Sequence, residues 1–128
     1  MAMAQHRRHW RDYRTAGGSR PVKEFFDSLT DEEAAEVVAA MKEIATAGLR
    51  AARHLRGDIH EMRADAANRT FRVLFAAEGR FGQVLLSLSG FTKKTQKTPS
   101  KEIERAERRL RDWRGRGKSG HRTVAHAT

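Results

Sequence analysis

Apolar residues recur with a helical period in the first half of the chain. Four of them follow Pro21 at positions i, i+3, i+4 and i+7, and this spacing predicts a short amphipathic helix that begins at the proline: Val22, Phe25, Phe26 and Leu29. A second helix is predicted from Thr30, because Thr30 and Glu33 have the spacing of a capping box, and Gly48 is its expected end. Two consecutive helices of this kind predict a hairpin with one apolar side.

The rest of the chain is dominated by segments typical of β-strands. "HRRHWRDYR" near the N-terminus predicts a short first strand. After the helices, "IHEMRA", "TFRVLFAA" and "FGQVLLSLSGF" predict three strands joined by short turns, which favours an antiparallel meander. In the middle segment, Phe71, Val73 and Phe75 fall on one face, and Arg72 and Leu74 fall on the other.

A last helix is predicted after Pro99, from apolar residues spaced three, four and three apart: Ile103, Ala106, Leu110 and Trp113. The element order β-α-α-β-β-β-α predicts an α+β fold, with an antiparallel sheet, a two-helix hairpin on one face and a C-terminal helix. With the helices on one face, we expect the opposite sheet face to be open and Arg72 to point into it. We expect a single domain over residues 1–114 and a disordered basic tail over residues 115–128, which lack any periodicity.

The positive charge of the chain is concentrated near its ends. The formal net charge is +10, of which residues 1–14 contribute +3, residues 15–90 contribute −1 and residues 91–128 contribute +8. Such a distribution favours a polyanionic partner, most often nucleic acid, although a solvated basic tail is the alternative.

Several kinds of protein and site are excluded by what the sequence lacks. There is no cysteine for a disulfide or a thiolate metal site, and no apolar run suits a signal peptide or reaches the roughly 20 residues of a membrane span. A Walker loop, an HExxH helix and a serine-hydrolase elbow are also missing. We therefore expect a cytoplasmic protein with no cofactor, no metal site and no membrane partner.

The chemistry that remains is a cluster of cations around "GFTKKTQKTP". In an antiparallel meander, the middle of the sheet and the exit of the last strand bring positive charge together, which suits a phosphodiester and the extra charge of its phosphorane. The candidate catalytic residues are Arg63, Arg72, Lys93, Lys94 and Lys97, and the candidate substrate contacts are Arg69, Phe91, Thr92 and Gln96.

These residues also have structural interpretations. Arg63 has Glu61 two residues away as a possible ion-pair partner, and the lysines are ordinary surface residues in the alternative view. A functional role is favoured for Arg72, because a lone buried charge is costly. Phe91 is expected to pack in the core rather than to stack on a base. His60 is expected to be structural, with proton transfer as its alternative role.

The segment from residue 55 to residue 113 resembles the HigB-like, phage-related branch of the RelE/ParE toxin superfamily. The resemblance depends on "LRGDIHEMR", then "FRVLF", then "GFTKKTQKTP" followed by a charged helix, and it extends over roughly residues 9–113. It implies a RelE-like fold and a type II toxin that cuts messenger RNA, usually on the ribosome, by metal-free attack of the 2′-hydroxyl on the phosphate. A HigA-like antitoxin with a helix-turn-helix domain neutralises such a toxin and provides its contact with operator DNA.

The resemblance also assigns roles to the cations. Arg63 takes the place of a catalytic strand cation, Arg72 that of the third-strand arginine, and Lys93 or Lys94 that of the cation after the last strand. The tyrosine near the start of the final helix of RelE is missing, since Tyr13 is the only tyrosine. Lys97 and His60 are therefore candidates for proton transfer. A ParE-like inhibitor of DNA gyrase and a non-enzymatic nucleic-acid-binding module remain as alternatives.

Overall fold

The computed structural model describes the backbone of residues 7–127 and the side chains of residues 7–117. Its elements are β1 (His9–Asp12), α1 (Pro21–Asp27), α2 (Asp31–Ala47), a single 3-10 turn (Leu49–Ala51), β2 (Arg53–Arg56), β3 (Ile59–Asp65), β4 (Thr70–Glu78), β5 (Val84–Thr92) and α3 (Ser100–Ala127). The predicted α+β class and every predicted element are confirmed. The short strand β2 was not predicted.

The five strands form one mixed sheet in the order β1-β5-β4-β3-β2. The predicted antiparallel meander is confirmed for β3, β4 and β5, and β2 extends it at one edge. The prediction of a wholly antiparallel sheet is wrong at the other edge, because β1 pairs with β5 in parallel. Long-range packing holds β1 there. The Trp10 ring contacts Phe75 edge-on at 5.0 Å, and the Trp10 indole N–H donates to the Met41 carbonyl at 2.8 Å.

The helical hairpin α1–α2 covers one face of the sheet, as predicted. The Thr30 hydroxyl accepts from the Glu33 N–H at 3.1 Å and the Glu33 carboxylate accepts from the Thr30 N–H at 3.0 Å, so the capping box is formed. Gly48 ends α2 with φ = 86°, a conformation that favours glycine. Beneath the hairpin lies a buried apolar cluster: Val37, Ile44, Met62, Ala64, Phe71, Val73, Phe75 and Leu85.

Helix α3 covers the opposite face, so the expectation of an open sheet face is wrong. Its apolar residues pack with Ile59, Leu74, Leu86 and Leu88 into a second buried cluster. The apolar stripe that predicted α3 carries no information about which face of a sheet it covers. The face was therefore assigned incorrectly although the helix itself was predicted.

Helix α3 also continues past Trp113, where the sequence predicts its end. The Arg116 guanidinium pairs with Asp112 one turn earlier at 2.9 Å and donates to the Arg14 carbonyl oxygen, which ties this part of the helix to the residue after Tyr13. The predicted disorder is therefore wrong for residues 115–117. For the side chains of residues 118–128, which lie outside the described residues, it stays a prediction. Within the part of the chain that the structure describes, no helix has the length and apolar character needed to cross a bilayer.

Candidate functional site

The connection from β5 to α3 forms one wall of two adjoining cavities. We call residues 93–99 the lysine loop. The first cavity, of about 590 Å³, lies between this loop and the β3–β4 turn at residues 66–70. The second cavity, of about 410 Å³, lies between the loop and the first turn of α3. Thr92, Lys93, Lys94 and Thr95 line both cavities, so the two form one continuous concave surface.

The structure brings together all but one of the predicted site residues. Arg69 and Gln96 line the first cavity, and Arg72, Phe91 and Lys97 line the second. Thr92, Lys93 and Lys94 belong to both. Arg63 lines neither cavity, since its exposed side chain pairs with Asp65 at 3.2 Å.

Arg63 therefore stands beside the site rather than in it. The alternative pairing of Arg63 with Glu61 is wrong, because Glu61 pairs with Arg72. Asp65 in turn accepts from the Thr70 hydroxyl at 2.8 Å, and Thr70 lines the first cavity. The hydrogen bond from Thr70 and the Arg63 guanidinium lower the pKa of Asp65. Arg63 thus contacts the cavity wall through Asp65.

Arg72 is buried with only 3% of its surface exposed, which corrects the expectation that it points into an open face. Its guanidinium lies 3.3 Å from the buried Glu61 carboxylate and donates to the Thr98 hydroxyl at 2.8 Å. It also donates to the Gln96 carbonyl at 2.7 Å, and the Thr98 hydroxyl donates to Glu61. Such pairing is what a charge needs in order to be buried. Arg72 and Glu61 therefore hold the lysine loop at two positions.

The start of the lysine loop is fixed separately. The Lys93 N–H donates to the Thr70 carbonyl at 2.7 Å, which continues the pairing of β5 with β4 by one residue. The Lys93 ammonium donates to the Gln96 side-chain oxygen at 3.2 Å, and the Thr95 hydroxyl donates to the Lys97 carbonyl at 2.7 Å. With bonds at its start, middle and end, the loop can present its lysines in a defined arrangement.

Arg69 is a wall residue whose charge is already neutralised. Its guanidinium binds both carboxylate oxygens of Glu33 at 2.8 Å and lies over the Phe71 ring at 5.1 Å from the centroid. The hydrogen bond from Arg69, with the capping-box bond, lowers the pKa of Glu33 to about 2. Arg69 therefore ties the β3–β4 turn to the start of α2.

Sequence reasoning missed two residues of the second cavity, Lys101 and Glu102 in the first turn of α3. Glu102 is the one carboxylate among the residues that line the two cavities. It is largely buried, and its Oε1 atom accepts from the Ser89 hydroxyl at 3.0 Å and from Arg105 at 3.2 Å. Their positions directly after Pro99, where the chain turns back over the strand exit, were the available signal.

His60 and Phe91 also find their places. His60 lines neither cavity; its ring lies 5.1 Å from that of His54 and 5.7 Å from that of Phe75, and burial lowers its pKa. Phe91 is half-buried, packs against the cluster under α3 and also lines the second cavity. His60 is therefore not a member of this site.

The electrostatic character of the surface follows from these pairs. Arg69 and Arg72 are neutralised by Glu33 and Glu61, so the unpaired charges are four lysines and Glu102, which also contacts Arg105: Lys93, Lys94, Lys97 and Lys101. A concave surface with excess positive charge attracts a polyanion and suits a phosphate group. Among the described residues, no group of three histidine, aspartate or glutamate side chains is placed to hold a metal ion.

Comparison with known proteins gives consistent matches. Residues 24–111 match the family described as phage-derived protein Gp49-like, DUF891. The chain is also 39% identical over 108 residues to proteins named probable endoribonuclease HigB1 from two strains of Mycobacterium tuberculosis, CDC 1551 / Oshkosh and ATCC 25618 / H37Rv. The alignment covers 82% of this chain and 84% of each relative.

Proposed function

The chain belongs to the phage-derived Gp49-like family and is a HigB-like member of the RelE/ParE toxin superfamily, and from this premise we propose that it is the endoribonuclease toxin of a type II toxin–antitoxin module. Its substrate is messenger RNA in the cytoplasm, cut on the ribosome. A cognate HigA-like antitoxin with a helix-turn-helix domain neutralises it, and operator DNA is contacted only through that antitoxin.

The observation that carries the proposal is the lysine loop between its two cavities. Four lysines line a continuous surface, and buried or partly buried ion pairs behind them, Arg72 with Glu61 and Arg69 with Glu33, hold the walls in place. Fixed cations aimed at developing negative charge stabilise a phosphorane without reorganising during the reaction. A surface that only bound nucleic acid would need the charge but not this bracing.

In the proposed reaction, the 2′-hydroxyl oxygen attacks the adjacent phosphorus and the bond to the 5′-oxygen breaks. The products are a 2′,3′-cyclic phosphate and a 5′-hydroxyl end. Glu102 is the group best suited to accept the proton of the 2′-hydroxyl, because it is the carboxylate of the second cavity. Lys97 and Lys101 line the same cavity, and either ammonium is suited to give a proton to the leaving 5′-oxygen.

Phe91, Thr92 and Gln96 supply the substrate contacts in this proposal. The Phe91 ring is only partly covered by α3 and borders the second cavity, so a base of the substrate can stack on its open part. The Thr92 hydroxyl and the Gln96 amide lie beside the lysines and can donate to phosphate oxygens.

Expression without the antitoxin tests the proposed function. We expect growth arrest and loss of messenger RNA, with primer extension showing new 5′ ends inside translated regions. A Lys93, Lys94, Lys97→Ala variant expressed to the same level is the control and should leave transcripts intact. Intact transcripts together with inhibited DNA supercoiling would contradict the proposal and favour a gyrase-directed toxin.

The metal-free character of the reaction has its own test. Because the proposed chemistry uses only lysines and Glu102, we expect the cleavage rate of the purified protein to be unchanged by EDTA. A ribosome needs Mg²⁺, so this assay uses a free RNA oligonucleotide at high protein concentration. Loss of cleavage in EDTA, restored by a divalent ion, would overturn the metal-free mechanism.

A further inference from the structure

A second concave surface lies at the β1 edge of the sheet, away from the lysine loop. It combines an apolar groove of about 290 Å³ beneath α1 and α2 with an adjacent basic pocket of about 340 Å³, and Trp10, Arg11 and Asp12 line both. We call the two together the β1 groove. β1 pairs with residues 84–87 of β5, whereas the cavities of the candidate site begin at its opposite end. The β1 groove is therefore independent of the proposed RNA site.

The groove is lined mainly by apolar side chains, which nucleic acid backbones do not recognise. They come from three elements, β1, α1 and α2, and leave a slot at the edge of the sheet: Trp10, Val22, Phe25, Phe26, Val38 and Met41. Of these, Val22 is fully buried and the others are partly accessible. The slot is suited to apolar anchor residues of a peptide.

The main chain of β1 is open along this edge. β1 lies at the end of the strand order and pairs with β5 on its other side. The His9 N–H donates to the Gln83 carbonyl and the Tyr13 N–H to the Ser87 carbonyl, both at 2.9 Å, so the odd-numbered residues bond to β5. In a parallel ladder the alternate residues, Trp10 and Asp12, then direct their main-chain groups away from β5. Such an edge can accept one more strand.

The charge beside the groove is positive and partly unsatisfied. Arg20 binds both carboxylate oxygens of Asp12 at 2.7 Å. Arg11 and Arg14 are exposed and have no acidic partner among the described residues. Since Asp12 is already neutralised by Arg20, these two arginines give the basic pocket its excess charge. This is the chemistry that recognises aspartate and glutamate side chains.

We propose that the β1 groove binds an extended acidic segment of a partner protein, which adds to the sheet as a strand beside β1. Its main chain bonds to Trp10 and Asp12, alternate apolar side chains enter the slot, and its carboxylates pair with Arg11 and Arg14. Strand addition uses main-chain hydrogen bonds for affinity and alternate side chains for specificity. A second copy of this chain is a poorer occupant, because it would bring Arg11 and Arg14 of both copies together.

Binding to synthetic peptides tests the proposal. The probe is a fluorescent heptapeptide that alternates glutamate with leucine, and the measurement is fluorescence anisotropy with the full chain. We expect saturable binding that is lost when lysine replaces the glutamates or serine replaces the leucines. Arg11→Glu with Arg14→Glu should weaken binding about tenfold or more. The matched control, Arg50→Glu with Arg53→Glu, changes the same charge at exposed residues outside the groove and should leave binding unchanged.

Hydrogen–deuterium exchange distinguishes strand addition from a loose ionic contact. We expect the peptide to slow amide exchange in residues 9–14 and not in residues 93–99. Peptide binding that is equal for the lysine-containing probe, or that leaves residues 9–14 unprotected, would overturn the proposal. Two other results would also overturn it: an RNA oligonucleotide binding in place of the peptide with the same dependence on Arg11 and Arg14, and a dimer in sedimentation that the Arg11 and Arg14 variant abolishes. The RNA cleavage assay is separate, so either proposal can fail alone.

Discussion

Arg72 carries a positive charge into the protein interior, 3.3 Å from Glu61, and uses its remaining donors on the lysine loop. It is therefore a positioning residue for the lysines rather than a group that touches the phosphate. Its Nε atom has no hydrogen-bond partner among the described atoms, so the guanidinium is not fully satisfied even within this network. Burial of the pair makes the loop depend on residues of β3 and β4.

Replacing Arg72 by alanine is expected to destabilise the fold. Glu61 would be left buried without its cation, a loss that typically costs about 3–5 kcal/mol. Urea unfolding measures this difference in the free energy of unfolding. The double variant Arg72→Met, Glu61→Leu removes both charges and should recover most of the stability.

The double variant separates stability from function. It lacks the bond to the Gln96 carbonyl, so we expect it to fold but to cleave RNA slowly. Full turnover in the stable double variant would mean that Arg72 does not position the lysine loop. A single alanine variant as stable as the original protein would mean that the buried pair does not form.

Glu102→Gln tests the proposed proton acceptor. Glutamine keeps an oxygen that can accept from the Ser89 hydroxyl, so the fold should be retained while the base is lost. General acid–base catalysis contributes about 10²–10⁴-fold, and we expect turnover at saturating RNA to fall by at least about 10²-fold with little change in RNA affinity. Arg105→Ala, which removes the other partner of the same carboxylate, is the control. Unchanged turnover of Glu102→Gln would exclude this role.

At the scale of elements, the site depends on two braces that join distant parts of the chain. Arg72 ties β4 to the lysine loop, and Glu33 at the start of α2 ties to Arg69 in the β3–β4 turn. The second brace holds the outer wall of the first cavity to the helical hairpin. The pKa of Glu33 is about 2 in the folded chain against an ordinary value of 4.5.

This lowered pKa predicts a pH-dependent contribution to stability. A carboxylate with a lower pKa in the folded state stabilises the fold above its unfolded pKa, and the contribution is lost as the pH falls from about 4.5 towards 2. We expect Glu33→Gln to be less stable than the original protein at pH 7 and the gap to close on acidification. Urea unfolding between pH 7 and pH 3 measures it, with the exposed Glu36→Gln as control. A gap that widened in acid would contradict the brace.

Local signals predicted the elements better than their arrangement. The capping box of Thr30, the turn at Gly48 and the alternation in β4 depend on neighbours in sequence, and each is confirmed. The face covered by α3 and the parallel pairing of β1 depend on contacts between distant residues. β2 was missed because its four residues, "RHLR", are largely exposed, and their strand conformation depends on pairing with β3.

The candidate site was predictable for the same reason. The lysines, Phe91 and Gln96 are close together in sequence, so a single loop brings them together. The partnership of Arg72 with Glu61 requires the register of β3 against β4, which aligns Arg63 with Arg72 and Glu61 with Leu74. The Arg69 contact with Glu33 likewise joins residues 36 positions apart. Sequence alone gave no signal for either pairing.

At the scale of the whole molecule, the excess positive charge is divided between two surfaces with different chemistry. The lysine loop offers compact ammonium groups in open cavities, which suits phosphate, and the β1 groove offers arginines beside an apolar slot and an open strand, which suits an acidic peptide. The sheet separates them, with β5 contacting both. An RNA substrate and a protein partner could therefore bind at the same time.

The central claim is that catalysis resides on the lysine loop and not in positive charge as such. The most direct test is the single-turnover cleavage rate of a defined RNA at saturating protein for two charge-matched variants. One replaces Lys93, Lys94 and Lys97 by alanine; the other replaces Lys42, Arg50 and Arg53, which are exposed and line neither cavity. We predict that the first loses at least about 10²-fold in rate, the typical cost of one stabilising donor, and that the second stays within a few-fold of the original protein. Equal rates for the two variants, or a greater loss in the second, would contradict the account.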